Sequence, residues 1–156
     1  SQARAIETQA IKSDTTIEAF VKAKIKENMS YITSLRDKYI AQLRNDIYRS
    51  ISDGKGVTEL AKTIVKRTGM TYSHARLIAN DQTGSILAQL NKYRATRAGF
   101  KKYMWQSMED GRVRPKHQEL DRKIFRYDDP DGGDNGMLPG EPINCRCVAL
   151  PADDDI

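Results

Sequence analysis

Two cysteines, Cys145 and Cys147, are the only ones in the chain and stand one residue apart in the octapeptide "GEPINCRC". Upstream, the segment "RVRPKHQELD" carries His117 and Asp121. Four residues apart on a short helix, these two share a face, and Asp121 could orient the imidazole as carboxylates do behind metal-bound histidines. Four chemistries fit this set. Thiolate and imidazole suit zinc, and Cys-x-Cys on a strand turns both sulfurs to one side. Structural zinc sites usually space their cysteines by about two to four residues, however, and the fourth ligand would have to be Asp121 or His74. A Cys nucleophile with His117 as base is the second chemistry, that of a hydrolase or transferase, with Arg112 or Arg114 favouring the thiolate. A Cys145–Cys147 disulfide is the third, but it closes a tiny, strained ring. The fourth is structural, and the residues favour it: both thiols pack as small hydrophobes and His117 bonds backbone at the corner where the acidic loop returns.

Other candidates carry less. Asp128-Asp129-Pro130-Asp131-Gly132-Gly133-Asp134-Asn135 has the composition of a calcium loop without its register, and reads as a solvated loop. Arg76, Lys92, Arg94, Arg97, Lys101 and Lys102 form a basic set that could contact phosphates without sequence preference. No aromatics interleave with it, so a single-strand stacking platform is not indicated.

These residues need elements to hold them. Residues 14–52 have helical periodicity: Asp14, Thr15 or Thr16 caps the start, then Ile17, Phe20, Val21 and Ile25 make one face. Asn28-Met29-Ser30 marks a break, after which Ile32, Leu35, Tyr39, Ile40, Leu43, Ile47 and Ile51 continue the stripe. The segment is a helical hairpin or an arm that docks on a partner, although packing on its own domain is the commoner fate of such a stripe. Residues 57–67 predict a short helix and 71–98 a long one, in which Gly84 costs about 1 kcal/mol against Ala. Strands are expected over 100–106, 123–127 and 147–150, with a short helix over 114–120 that opens on Pro115. Helices come first and a small antiparallel sheet last, an α+β arrangement.

A chain of 156 residues with 38% hydrophobic and 30% charged content has enough mass for one domain with a helical extension. No apolar run approaches the roughly 18–20 residues of a membrane helix. Cysteines at i and i+2 are no secretory disulfide framework, so a cytosolic setting is expected. The net charge of +5 hides an asymmetry: residues 1–100 hold 17 Lys/Arg against 9 Asp/Glu, and residues 101–156 hold 9 against 12. The basic first part invites a polyanion.

Taken in order, "HARLIANDQTGSILAQLNKYR", "YMWQSMEDGRVRPKHQELD", "IFRYDDP" and "PGEPINCRC" resemble the Mu F-like family of phage minor head, or head morphogenesis, proteins. Three places carry the resemblance: Trp105 followed by Asp110, Arg112, Arg114, His117, Leu120 and Asp121; the stretch from Phe125 to Asp128; and Pro142, Asn144, Cys145, Arg146 and Cys147. It divides the chain into a helical arm (1–55), a Mu F-like domain (56–150) and an acidic tail (151–156). Two departures stand out. Arg122 occupies a position where many members carry Gly, and Glu141-Pro142-Ile143 lacks the His that many carry there, which takes away the easiest fourth zinc ligand. The resemblance implies a non-enzymatic virion component with no cofactor. It implies assembly in the host cytoplasm, few copies inside the capsid near the portal, and a part in head assembly and DNA packaging or ejection. The partners it implies are portal and capsid or scaffold proteins and nonspecific double-stranded DNA.

Overall fold

The structure, a computed structural model, describes residues 15–30, 37–107, 113–142, 145 and 147–153. Asp14, Ile32, Leu35, Asp110, Arg112, Ile143, Asn144 and Arg146, on which parts of the sequence reading fall, lie outside these. Among the described residues, five helices and three strands follow the expected order: α1 (Thr15–Asn28), α2 (Asp37–Ser52), α3 (Val57–Thr68), α4 (Tyr72–Arg97), β1 (Lys102–Gln106), α5 (Pro115–Leu120), β2 (Ile124–Arg126) and β3 (Val148–Ala152). The fold is α+β, helical first and then a three-stranded antiparallel sheet in the order β2-β1-β3. The chain divides into two compact units, residues 1–86 and 87–156, and the boundary falls inside α4.

The first unit is a helical assembly built on aliphatic stripes. Ile17, Val21 and Ile25 of α1, Leu43, Ile47 and Ile51 of α2, and Leu60, Ala61 and Ile64 of α3 are buried, and α2 packs against both α1 and α3. Of the fates the sequence left open for this stripe, packing within its own unit is the one the described residues take, and not an arm left free for a partner. The physical reason is that helices joined by short connections cover each other's apolar faces at once. Arg67 of α3 donates through Nε and Nη2 to the two carboxylate oxygens of the buried Asp46 on α2, at 2.9 and 3.1 Å. The expected division between residues 55 and 56 thus falls in the turn between two helices that pack together. Gly69 ends α3 in the left-handed region (φ 74°), with its N–H on Val65 O at 2.8 Å.

The second unit has an aromatic core. Along β1 burial alternates, as a half-buried strand requires, so Tyr103 and Trp105 point inward. They join Ala95 of α4, Tyr127, Leu138 and Cys147 in one buried cluster, with Phe100, Leu120, Phe125 and Cys145 packed against it. Tyr103 lies with ring centroids 5.7 Å from Phe125 and 5.0 Å from Tyr127. β3 runs along the other side of β1, pairing Trp105 with Ala149 and Tyr103 with Pro151. Pro151 is tolerated because β3 is an edge strand. Asn91 Nδ2 donates to Ala149 O at 3.0 Å, fixing that edge to the second half of α4.

Candidate functional site

His117, Cys145 and Cys147 meet in the core of the second unit. α5 opens on Pro115, whose fixed φ and missing N–H suit a first turn. It is a helix of six residues, and its last turn turns His117 inward, where the residue is only 2% exposed. The imidazole centroid lies 5.1 Å from that of Trp105. β3 begins directly after Cys147, so strand pairing with β1 carries Cys147 beneath Trp105, where it too is buried. Cys145 is half-buried; its sulfur accepts the Gly140 N–H at 3.4 Å, and its own N–H bonds Pro142 O at 2.9 Å. Nδ1 of His117 lies 3.7 Å from Cys145 Sγ and 3.9 Å from Cys147 Sγ.

Asp121 does not orient the imidazole in the expected way. It stands past the end of α5 with extended torsions (φ −54°, ψ 129°), and its Oδ1 accepts the Ser107 N–H at 2.9 Å. The carboxylate on the ring is Asp134, whose Oδ2 is 2.9 Å from His117 Nε2. Lys116, the neighbour of His117, holds the other oxygen of Asp134 at 2.6 Å. Lys116 and then His117 keep the Asp134 carboxyl below its ordinary range, against the opposing effect of burial. An ionised Asp134 only accepts, so Nε2 donates to it, and Nδ1 faces the two sulfurs.

The loop that delivers Asp134 is not solvated throughout. Asp128, Asp129, Pro130 and Asp131 are exposed, but Gly132, Asp134, Leu138 and Pro139 are buried. Gly133 has φ 68°, and a Cβ there would come within 2.6 Å of Met137 O and 2.7 Å of the Tyr103 hydroxyl. The loop is therefore folded onto the aromatic core, and Glu141 secures its far end by accepting from Leu138 N–H at 2.8 Å and from Gln89 Nε2 at 3.1 Å. Composition hid this, because four aspartates and two glycines in eight residues look solvated. The signal that could have found it is Gly132-Gly133 beside Asp134, since paired glycines mark a tight backbone approach.

The two thiols are coupled. A hydrogen bond from Cys147, with the Gly140 N–H, outweighs burial and lowers the Cys145 thiol to about 6. Cys147 is raised, because it keeps the proton it shares with Cys145 and is buried. Among the described residues, His117, Cys145 and Cys147 are the group whose ligand atoms could hold a metal ion, all lying within 4.8 Å of one another. Asp121 is outside that group, and His74 is exposed on the first turn of α4 in the other unit.

The remaining residues of the sequence reading have varied settings. Trp105 is fully buried, Leu120 packs on the aromatic cluster, Pro142 is buried, and Arg114 is exposed at the N-cap of α5. In the basic set, Arg76 donates to the Thr58 hydroxyl at 2.8 Å in the first unit, and Arg97 stacks on Tyr93 in the second. Lys101 is exposed, whereas Lys92, Arg94 and Lys102 are half-buried. Among the described residues, no helix is long and apolar enough to cross a membrane.

Comparison with known proteins places this geometry in a family. An uncharacterized protein of Haemophilus influenzae is 33% identical over 145 residues, which are 93% of this chain and 32% of that protein. The NAD(+)–arginine ADP-ribosyltransferase EFV of Enterococcus faecalis is 29% identical over 133 residues, 78% of this chain and 27% of its own length. Minor head protein GP7 of Bacillus phage SPP1 is 27% identical over 127 residues, 74% of this chain and 41% of its own. The chain thus spans about a third of the length of the curated relatives it matches. No solved structure matches it. The model of the family described as phage Mu protein F like protein matches residues 41–150, most of the chain, which therefore belongs to that family.

Proposed function

We propose that this chain is a structural component of a phage head, present in few copies inside the capsid near the portal and acting in head assembly and in DNA packaging or ejection. The observation that carries the proposal is the family match over residues 41–150, reinforced by the similarity to a phage minor head protein. Its partners on this reading are portal and capsid or scaffold proteins, and assembly takes place in the host cytoplasm. The aliphatic stripes of α1 and α2 are already covered, so docking uses the outward polar faces of the helices or the exposed side of the sheet. The test is co-expression of the chain with the portal and major capsid proteins of the phage that encodes it, followed by sedimentation of the particles. Few copies per particle, lost when portal is omitted, are expected. Particles formed with portal but free of the chain would overturn the proposal.

The role is non-enzymatic. His117 is 2% exposed, one ring nitrogen is held by Asp134 and the other faces two sulfurs. An imidazole so enclosed is not itself presented to a substrate in solution. The transferase activity in the name of the Enterococcus relative belongs to that protein, of which this chain matches 27%. A second reading, contact with packaged DNA through Arg76, Lys92, Arg94, Arg97, Lys101 and Lys102, is favoured by the excess of positive charge in residues 1–100. It predicts binding to duplex DNA that weakens steeply with salt, log K falling with log salt by about 0.9 for each phosphate neutralised. No binding at low salt removes DNA as a partner.

A further inference from the structure

We propose that His117 Nδ1, Cys145 Sγ and Cys147 Sγ form a zinc site, with water in the fourth position and Asp134 behind the histidine, and that the ion fastens the start of β3 to α5. Four observations carry it.

The first is distance. Zinc bound tetrahedrally, with Zn–N of about 2.0–2.1 Å and Zn–S of about 2.3 Å, sets N···S at about 3.6 Å and S···S at about 3.8 Å. The separations from Nδ1 to the two sulfurs are 3.7 and 3.9 Å, and all three atoms lie within 4.8 Å of one another. The second is the inventory of lone pairs. Asp134 accepts a hydrogen bond from Nε2–H, so the neutral imidazole offers Nδ1 as its one lone pair. Both sulfurs stand at almost the same distance from it, the placement that three electron-pair donors around one cation would take. The third is the support behind the ligands. The chain His117 Nε2–H, Asp134 carboxylate, Lys116 ammonium has the form of the carboxylate–histidine arrangement that fixes the tautomer of a metal-bound imidazole. The Gly140 N–H aimed at Cys145 Sγ stabilises negative charge on that sulfur.

The fourth is charge. Zinc with two thiolates and a neutral imidazole is electrically neutral, and Lys116 balances Asp134. The ion therefore adds no unpaired charge to a core in which His117, Cys147 and Trp105 are buried. In binding, the two thiols release their protons to solvent, and the sulfur and Nδ1 lone pairs form the three bonds to zinc. Three protein ligands suffice to hold zinc when water takes the fourth position, as in open zinc sites, and the half-buried Cys145 stands at the edge of this one; the ion is assigned a fastening role here because it joins α5 to the start of β3.

The test uses the 156-residue chain, reduced and purified without added chelator. Metal analysis is expected to find one zinc per chain. Cobalt(II) exchanged for zinc is expected to give the intense thiolate-to-metal absorption and tetrahedral visible bands, and chelation of zinc is expected to lower the melting temperature. Asp134→Asn should keep the cobalt spectrum and weaken zinc binding by about 10–100-fold, while Cys145→Ser should reduce the thiolate absorption. Cys145 is half-buried, so this variant reads out even where Cys147→Ser does not fold. Wild-type protein showing no thiolate absorption with excess cobalt(II), or thiols alkylated equally fast with and without zinc, would overturn the proposal. So would Cys145→Ser binding zinc as tightly as wild type.

Discussion

The two units of this chain solve the same problem by different means. Among the described residues of 1–86 the apolar core is mainly aliphatic and recurs every three or four positions along α1, α2 and α3, with a few buried polar groups such as Asp46 beside it. Burial there is spread along several helices, with α2 packed against both α1 and α3. In residues 87–156 one tryptophan, two tyrosines, a histidine and two cysteines cluster on a three-stranded sheet. Burial there is concentrated in a few large or polar groups, each fixed by a loop that returns from far along the chain. The difference teaches that the helical unit should lose stability gradually under substitution, whereas the sheet unit should fail at single points.

The sharpest test of that contrast is Trp105→Ala. Trp105 is 0% exposed and touches the imidazole, so its removal is expected to cost about 3–5 kcal/mol and to abolish near-ultraviolet circular dichroism. A loss below about 1 kcal/mol would show that the aromatic core is not the keystone of its unit. Leu43→Ala, a fully buried site on α2, should cost about 2–5 kcal/mol in denaturant melts, with similar values for Val21→Ala and Leu60→Ala. One of these far exceeding the others would break the picture of evenly shared burial.

Gly133→Ala probes the return loop. Its φ of 68° and the closeness of Met137 O and the Tyr103 hydroxyl predict a loss of about 1–3 kcal/mol. A neutral result would mean that the loop does not press on the core.

Alkali should act on the same region. Burial pushes both Tyr103 and Tyr127 from the ordinary 10 up to about 12. An unfolded tyrosine loses its proton near pH 10 and a folded one near 12, so between those values the unfolded state binds fewer protons and stability falls as pH rises. The contribution is fully present below pH 10 and declines by roughly 1 kcal/mol per pH unit for each tyrosine up to about pH 12. Urea melts at pH 9, 10 and 11 check this; Tyr103→Phe should lessen the slope.

The smallest expected effect has the opposite sign. Arg122 sits at φ 67°, where its N–H bonds Trp105 O at 2.7 Å. A side chain in that region costs about 1 kcal/mol or slightly more relative to glycine, so Arg122→Gly should raise the melting temperature by a few degrees. A fall would mean that Arg122 makes contacts worth more than the strain.

The helices, the order of the strands and the family were legible from residues 14–150 alone, because the signals behind them are local. Apolar spacing of three and four writes a helix wherever it occurs, as Leu43, Ile47 and Ile51 do. Alternation around Tyr103 and Trp105 writes a strand. Pro115 marks where α5 begins. The meeting of His117 with Cys145 and Cys147 was legible as an ordered set of motifs but not as a geometry. Asp121 looked like the carboxylate for the imidazole because it stands four residues away, but α5 ends first and hands Asp121 to the Ser107 backbone. Asp134 looked solvated because its neighbours are acidic, and yet it is 7% exposed and bonded to His117. Local sequence sets which segments are helix or strand and which apolar side chains face inward. Tertiary structure alone decided which carboxylate holds the histidine and how close the two sulfurs come to Nδ1. Those contacts span 17 to 30 residues, and a separation of that length is set by how loops close and strands pair, not by any periodicity along the chain.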